Sequence, residues 1–320
     1  MIDKSYIRKK IETYLKTIPE PDRKIVQVAF FGGSFTSLPE NEQIRYLESV
    51  QPFIKQNKIR SIRISTRPDY INPKTIKLLK KYKVKCIELG VQSFSDKILK
   101  KSKRGHTRKD IIKASQLIKK SGLKLGHQLM VGLPSSKLQD EINSVIMSIK
   151  LKADEARLYP VLVIKNTYLE KMYTSKKYAP LSENQAIPRT AKLLALFEKN
   201  NITVLRCGLH PSENLLSGRD ILSGPFHPAF RQKVDTHIYG TILSRCLQNK
   251  HLRSNIKIIK CSPKDEHVVK GYDKKNVKFL QSKSKWISIN KDKTVKKGTI
   301  KLVLKNGKVK TIKKEQYLCC

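Results

Sequence analysis

The sequence predicts an α/β fold built on a parallel sheet with crossover helices. Three observations carry this reading. Short apolar runs alternate with amphipathic helical stretches through the first half of the chain. These runs end in glycine, serine, glutamine or other polar residues, where parallel sheets hold their ligands. A length of 320 residues suffices for one sizeable core and a smaller companion domain.

The elements follow in order. Ser5 to Thr17 spaces Ile7, Ile11, Tyr14 and Leu15 on one helical face. Ile25 to Phe31 reads as a short buried strand, and Glu40 to Ile54 as a helix entered through Pro39. Ile59 to Ser65 alternates as a strand does, and Pro73 to Tyr82 is helical. A strand over Lys85 to Gln92 precedes a helix over Arg108 to Lys120, stopped by Gly122. Strand Leu123 to Val131, helix Leu138 to Lys150 and strand Ala156 to Ile164 complete the alternation. Strand exits fall at Gly32-Gly33-Ser34-Phe35, Ser65 to Asp69, Gln92-Ser93, Gln128 to Pro134 and Tyr159-Pro160. The sequence starts with a helix, whereas a βα sheet normally starts with a strand. A first strand and its loop are therefore expected before Met1.

Composition narrows the function classes. The chain is 39% hydrophobic and 29% charged. It has no apolar run near the roughly 18–20 residues of a membrane span, and its N-terminus lacks the apolar block of a signal peptide. A cytoplasmic protein with no membrane partner is expected. With 67 basic and 26 acidic residues the net charge is +41, which points to a polyanionic partner, most simply RNA. Only 15 of the basic residues are arginine, so a solvated lysine surface is the competing reading. Cys86, Cys207, Cys246, Cys261, Cys319 and Cys320 form no CxxC and no zinc-like spacing. Buried reduced thiols are expected, no metal ligand is assigned, and the terminal cysteine pair reads as incidental.

The segments FFGGSFTSLP, IRISTRPDYI, IELGVQSFSDKILKKSKRGHT and LGHQLMVGLPSS stand in one order, each at an expected strand end. Together they resemble the radical S-adenosylmethionine (radical SAM) superfamily. The resemblance is to its Elongator-catalytic-subunit-like branch, in particular bacterial members without an acetyltransferase domain. ADEARLYPVLVIKNTYLEKMY and GPFHPAFRQ extend it to about residue 240. The resemblance implies a partial (βα)6 barrel, here without its first strand. It also implies a 4Fe-4S cluster, an electron donor to reduce it, and cleavage of S-adenosyl-L-methionine to methionine and a 5′-deoxyadenosyl radical.

Site residues follow from the motifs. The resemblance places Gly32, Gly33 and Ser34 against the amino group of the methionine moiety, where absent side chains let the backbone approach. The alternative is a turn without a ligand. Gln92 and Gln128 match polar positions near the ribose, or are satisfied polar groups of the barrel. Arg104 matches an arginine facing the SAM carboxylate, which a guanidinium grips with two bonds; otherwise it is one more surface cation. Ser65 stands where related branches place a glutamate. The family's cluster hangs on a CxxxCxxC loop after the first strand, and this sequence contains none. Cluster iron needs such thiolates, so the loop is expected upstream of Met1.

Three domains are expected: the partial barrel over 1–165, an extension covering the barrel mouth over 166–246, and a small basic α+β domain over 247–320. In the extension, Leu181 to Asn200 is a helix and Ile202 to Cys207 a strand, followed by polar loops with His210, His227 and Arg231. His227 and Arg231 are candidate substrate contacts, with loop packing as the equal alternative. Arg157 and Tyr159 on the last barrel strand are expected to face the substrate. In the last domain IKIIKCSP reads as a strand. Gly271-Tyr272-Asp273-Lys274 is a poor match to the GxxG loop of KH domains. Asn306-Gly307 suits a type I′ hairpin turn. The function expected is radical SAM modification of RNA, with tRNA the substrate by analogy. A basic RNA-binding protein on a degenerate barrel and a radical enzyme for a small molecule are the alternatives.

Overall fold

The computed structural model describes residues 3–19, 25–210, 213–283 and 286–318. Cys319 and Cys320 lie outside the described residues. The chain divides into two compact units, residues 1–129 with 146–157 and residues 130–145 with 158–320.

The alternation read from the sequence is present. It runs α1 (Lys4–Thr17), β1 (Gln27–Phe30), α2 (Glu40–Lys55), β2 (Ser61–Thr66), α3 (Pro73–Lys81), β3 (Val84–Gln92), α4 (Asp96–Lys101), α5 (Arg108–Lys120), β4 (Lys124–Val131), α6 (Leu138–Lys150) and β5 (Glu155–Pro160). Pairs β1–β2, β2–β3 and β3–β4 are parallel. With β7 (Thr203–Cys207) the strands form a curled half-barrel of order β1-β2-β3-β4-β5-β7. Every residue of β3 except Lys85 is buried, as befits a central parallel strand covered on both faces. Local chemistry sets the helix starts. The Asn72 side chain accepts from the Thr75 N–H with Pro73 in the first turn, and Thr107 with Asp110 forms a capping box on α5.

In the second unit the chain runs through β6 (Val163–Ile164), α7 (Tyr168–Thr174), α8 (Glu183–Lys199), β7, α9 (Glu213–Leu216), β8 (Ile221–Ser223) and α10 (Phe230–Gln248). There follow α11 (Lys250–Asn255), β9 (Ile256–Cys261), α12 (Glu266–Lys270), α13 (Lys275–Lys283), β10 (Ser288–Lys291), β11 (Thr299–Leu304) and β12 (Val309–Lys313). Helix α10 is its spine. Phe230, Val234, Ile238 and Ile242 recur every four residues and are buried. A second sheet has order β10-β9-β11-β12.

Two expectations change, and one helix is new. The strand over 156–164 is broken: β5 stops at Pro160, and β6 pairs antiparallel with β8 instead. Proline has no N–H to donate to a ladder. Helix α10 was not legible, because buried Asp235 and Thr236 interrupt its apolar stripe. The hairpin turn is not type I′. Gly307 at φ +81° is left-handed, but Asn306 is not. Val303 pairs with Val309 and the Leu304 N–H donates to the Lys308 carbonyl. This is a three-residue loop closed by a left-handed glycine. No helix among the described residues is long and apolar enough to cross a membrane.

Candidate functional site

The candidate site lies at the carboxyl ends of β1, β2 and β3 in the first unit. Gly32 leaves β1 at φ +110°, a conformation that favours glycine. A Cβ on Gly32 or Gly33 would meet nothing within 4 Å, so open space lies beside this backbone. Ser34 anchors the loop. Its Oγ lies 2.9 Å from Thr66 Oγ1 and accepts the Arg67 N–H at 2.9 Å. Arg67 in turn forks onto Asp69, at 3.0 and 2.7 Å, and donates to the Gly105 carbonyl at 2.9 Å. His106 Nε2 lies 3.2 Å from the Val91 carbonyl, next to Gln92. This chain of bonds gathers the loops bearing Gly32 to Ser34, Ser65, Gln92 and Arg104. On β4, Leu129 pairs with Gln92 and brings Gln128 beside it.

Several polar groups here are left without partners. Gln92 sits at φ +65°, is 4% exposed, and its Oε1 is buried with no hydrogen bond. His106 Nδ1 is also buried and unbonded, and burial pushes the ring's pKa down, so it is neutral at pH 7. Arg104 is half-buried and has no carboxylate partner among the described residues. Burial first, and then the neighbouring Arg67, pushes its pKa down. A guanidinium so placed calls for an anion with two oxygens. The Gln128 side chain is half-buried with no hydrogen-bond partner among the described residues, and Ser65 stands on β2 opposite Glu88.

The polar face of the sheet holds a second arrangement that sequence reasoning missed. Glu88, 3% exposed, is gripped between two arginines. Arg63 Nη1 reaches its Oε1 at 2.5 Å, and Arg157 Nε reaches its Oε2 at 2.6 Å. Arg63 also pairs with Glu155 at 2.7 Å, and the Phe31 ring lies 5.0 Å from the Arg157 guanidinium. The available signal was period-two polar alternation: Arg63 and Ser65 on β2, Cys86 and Glu88 on β3, Glu155 and Arg157 on β5. Gly126 makes the room, since a Cβ there would stand 2.8 Å from Glu88 Cγ.

The remaining expected contacts belong to the second unit. Tyr159 is half-buried on β5. His210 is exposed. His227 Nδ1 accepts the Ala229 N–H at 2.9 Å, and its ring meets Tyr272 edge-on at 5.3 Å. Arg231 uses all three guanidinium nitrogens, on Asp235 at 2.7 Å, Glu198 at 2.9 Å and the Val204 carbonyl at 3.2 Å. Its geometry is that of a packing residue.

Comparison with known proteins decides the family. The radical SAM superfamily model matches residues 3–143, and the radical SAM C-terminal domain model matches residues 153–240. This chain belongs to the radical SAM superfamily. The tRNA uridine(34) acetyltransferase of Methanocaldococcus infernus is 34% identical over 183 residues, 56% of this chain and 34% of that protein. Elongator complex protein 3 of Mus musculus is 29% identical over 191 residues, 53% of this chain and 35% of that protein. The solved structure of Methanocaldococcus infernus Elp3 with an N-terminal deletion (1–46) superposes with a TM-score of 0.63 at 28% identity, covering 78% of this chain and 59% of that one. The chain thus spans about a third of the length of these two relatives.

The family implies S-adenosyl-L-methionine and a 4Fe-4S cluster. The residues present fit the first: an unpartnered half-buried guanidinium, an orphaned buried amide oxygen and an open glycine backbone lie on loops bonded to one another. The described residues do not fit the second. No group of three His, Cys, Asp or Glu among the described residues is placed to hold a metal. Burial pushes the Cys86 and Cys207 thiols up to about 12 and the Cys261 thiol up to about 11, away from the thiolate form that ligates iron.

Proposed function

We propose that this chain is the S-adenosylmethionine-binding barrel of a radical enzyme that modifies RNA. The unpartnered Arg104 guanidinium carries this reading. Arg104 takes the SAM carboxylate, Gly32, Gly33 and Ser34 take its amino group, and Gln92 and Gln128 take the ribose. Burial leaves Arg104 charged but poorly solvated, so an incoming carboxylate relieves it. RNA as substrate is supported by the +41 charge and by the names of the relatives, a tRNA uridine(34) acetyltransferase and Elongator complex protein 3. Arg157, fixed by Glu88, presents a positive group on the polar face of the sheet, and Tyr159 and His227 remain candidate substrate contacts.

The cluster ligands are assigned to a loop that follows a further strand, one that would pair along β1. Strand β1 is the edge of its sheet. An apolar groove of about 450 Å³ lines it, formed with Tyr6, Ile11, Tyr14 and Phe30 among others. An apolar edge strand with no further strand beside it among the described residues is a pairing site for another strand. The test uses protein purified without air from its own cells, reduced and given SAM. Release of 5′-deoxyadenosine is expected. No release from a cluster-loaded, reduced sample would overturn the proposal.

A further inference from the structure

The second unit contains a groove of about 520 Å³ between α8, α10, α13 and the Tyr272 turn. Its floor is one face of α10, where Lys233, His237, Thr241 and Arg245 recur every four residues. At 1.5 Å per residue this stripe is about 18 Å long. The charges along it are lopsided. Glu183 is the one acid among the described lining residues, and it is tied to Lys233 at 2.8 Å. Arg245 and Lys275 have no ion-pair partner among the described residues. Arg245 is half-buried rather than a free surface cation.

The uncharged lining is chosen for contact as well. Phe279 is half-buried in the groove wall. Tyr272 is pinned, its N–H on Thr236 Oγ1 at 2.8 Å and Lys233 Nζ 5.0 Å from its ring centroid. His237 has its pKa pushed down by burial and by Lys275, so it is a neutral donor and acceptor at pH 7. Unpaired cations and aromatic side chains lining one elongated groove are the chemistry of single-stranded nucleic acid, phosphates on the cations and bases on the rings.

We infer that this groove binds a single-stranded segment of RNA, with phosphates at Arg245 and Lys275 and a base against Phe279. The choice of RNA among phosphodiesters rests on the RNA-substrate reading above; the groove itself does not. Backbone contacts of this kind are tolerant of sequence and steep in salt.

The test is fluorescence anisotropy of a labelled ten-nucleotide single-stranded RNA titrated with the full chain across a salt series. The Arg245→Ala/Lys275→Ala double variant is compared with Lys301→Ala/Lys310→Ala, which removes the same charge from the hairpin. The groove variant should bind at least about 10-fold more weakly and flatten the log K against log salt slope by about 1.4, the loss of two single-strand phosphate contacts. The hairpin variant should change affinity less than about 2-fold, in keeping with a surface charge alone. Phe279→Leu, which keeps the packing apolar, should weaken RNA binding without changing the salt slope. Equal losses from both double variants would overturn the inference, because charge alone would explain them. Displacement of the RNA by AMP as effectively as by unlabelled oligonucleotide would also overturn it, in favour of a free nucleotide. SAM binding by the groove variants, measured in parallel, separates failure here from failure of the barrel site: it should be unchanged.

Discussion

At the scale of residues, the informative groups are those the fold leaves unsatisfied. Buried polar atoms in folded proteins nearly always find partners. Here Gln92 Oε1 and His106 Nδ1 do not, and Arg104 lacks a carboxylate beside it. Gln92 and Arg104 are two of the residues proposed above to hold the cofactor, and His106 stands two residues beyond Arg104. By contrast, Glu88 has two arginines, and Gly126 exists to admit it. Gly126→Ala would put a methyl 2.8 Å from Glu88 Cγ. Overpacking of this kind costs about 1–3 kcal/mol. Thermal unfolding should show a lowered midpoint, and an unchanged midpoint would mean that the Glu88 cluster yields easily.

At the scale of elements, His127 joins β4 to two helices. Its Nε2 lies 3.0 Å from Ser115 Oγ on α5, and its Nδ1 2.9 Å from Ser148 Oγ on α6. Complete burial pushes its pKa down to about 3. The folded value lies below the unfolded value of about 6.5, so the unfolded chain takes up the proton first. The stability this neutral ring contributes is present above about pH 6.5 and is lost as pH falls from there toward about 3. Between pH 7 and pH 5 the loss is about 2 kcal/mol by linkage. Urea unfolding at the two pH values, with and without His127→Gln, checks this. The variant should show a shallower pH dependence, and an identical slope would assign the effect to other groups.

The elements also show how far the sequence was readable. Helices α2, α3, α5, α6 and α8 lie where their apolar spacing puts them, with side-chain caps on α3, α5 and α8. Glycine and polar residues at strand exits located the candidate site, because that chemistry is local. Glu88 and its two arginines were hidden: each is an ordinary charged residue until strand register brings them together. Helix α10 was hidden for a related reason, since its buried Asp235 is compensated by Arg231 one turn earlier on the same helix and by Lys314 from a distant part of the sequence.

At the scale of the whole molecule, an excess of 41 positive charges is a field rather than a site. It accounts for attraction to a polyanion and not for chemistry. The chemistry rests on whether the loops after β1, β2 and β3 grip one small molecule. The most direct test is equilibrium binding of S-adenosyl-L-methionine to the chain and to its Arg104→Lys and Arg104→Ala variants. Saturable one-to-one binding is expected, weakened by roughly 10- to 100-fold in Arg104→Ala, the loss of a charge-assisted bond worth about 1.5–3 kcal/mol. Arg104→Lys should recover only part of it, because an ammonium cannot fork onto a carboxylate. Absence of binding, or binding indifferent to Arg104, would contradict the assignment of this site.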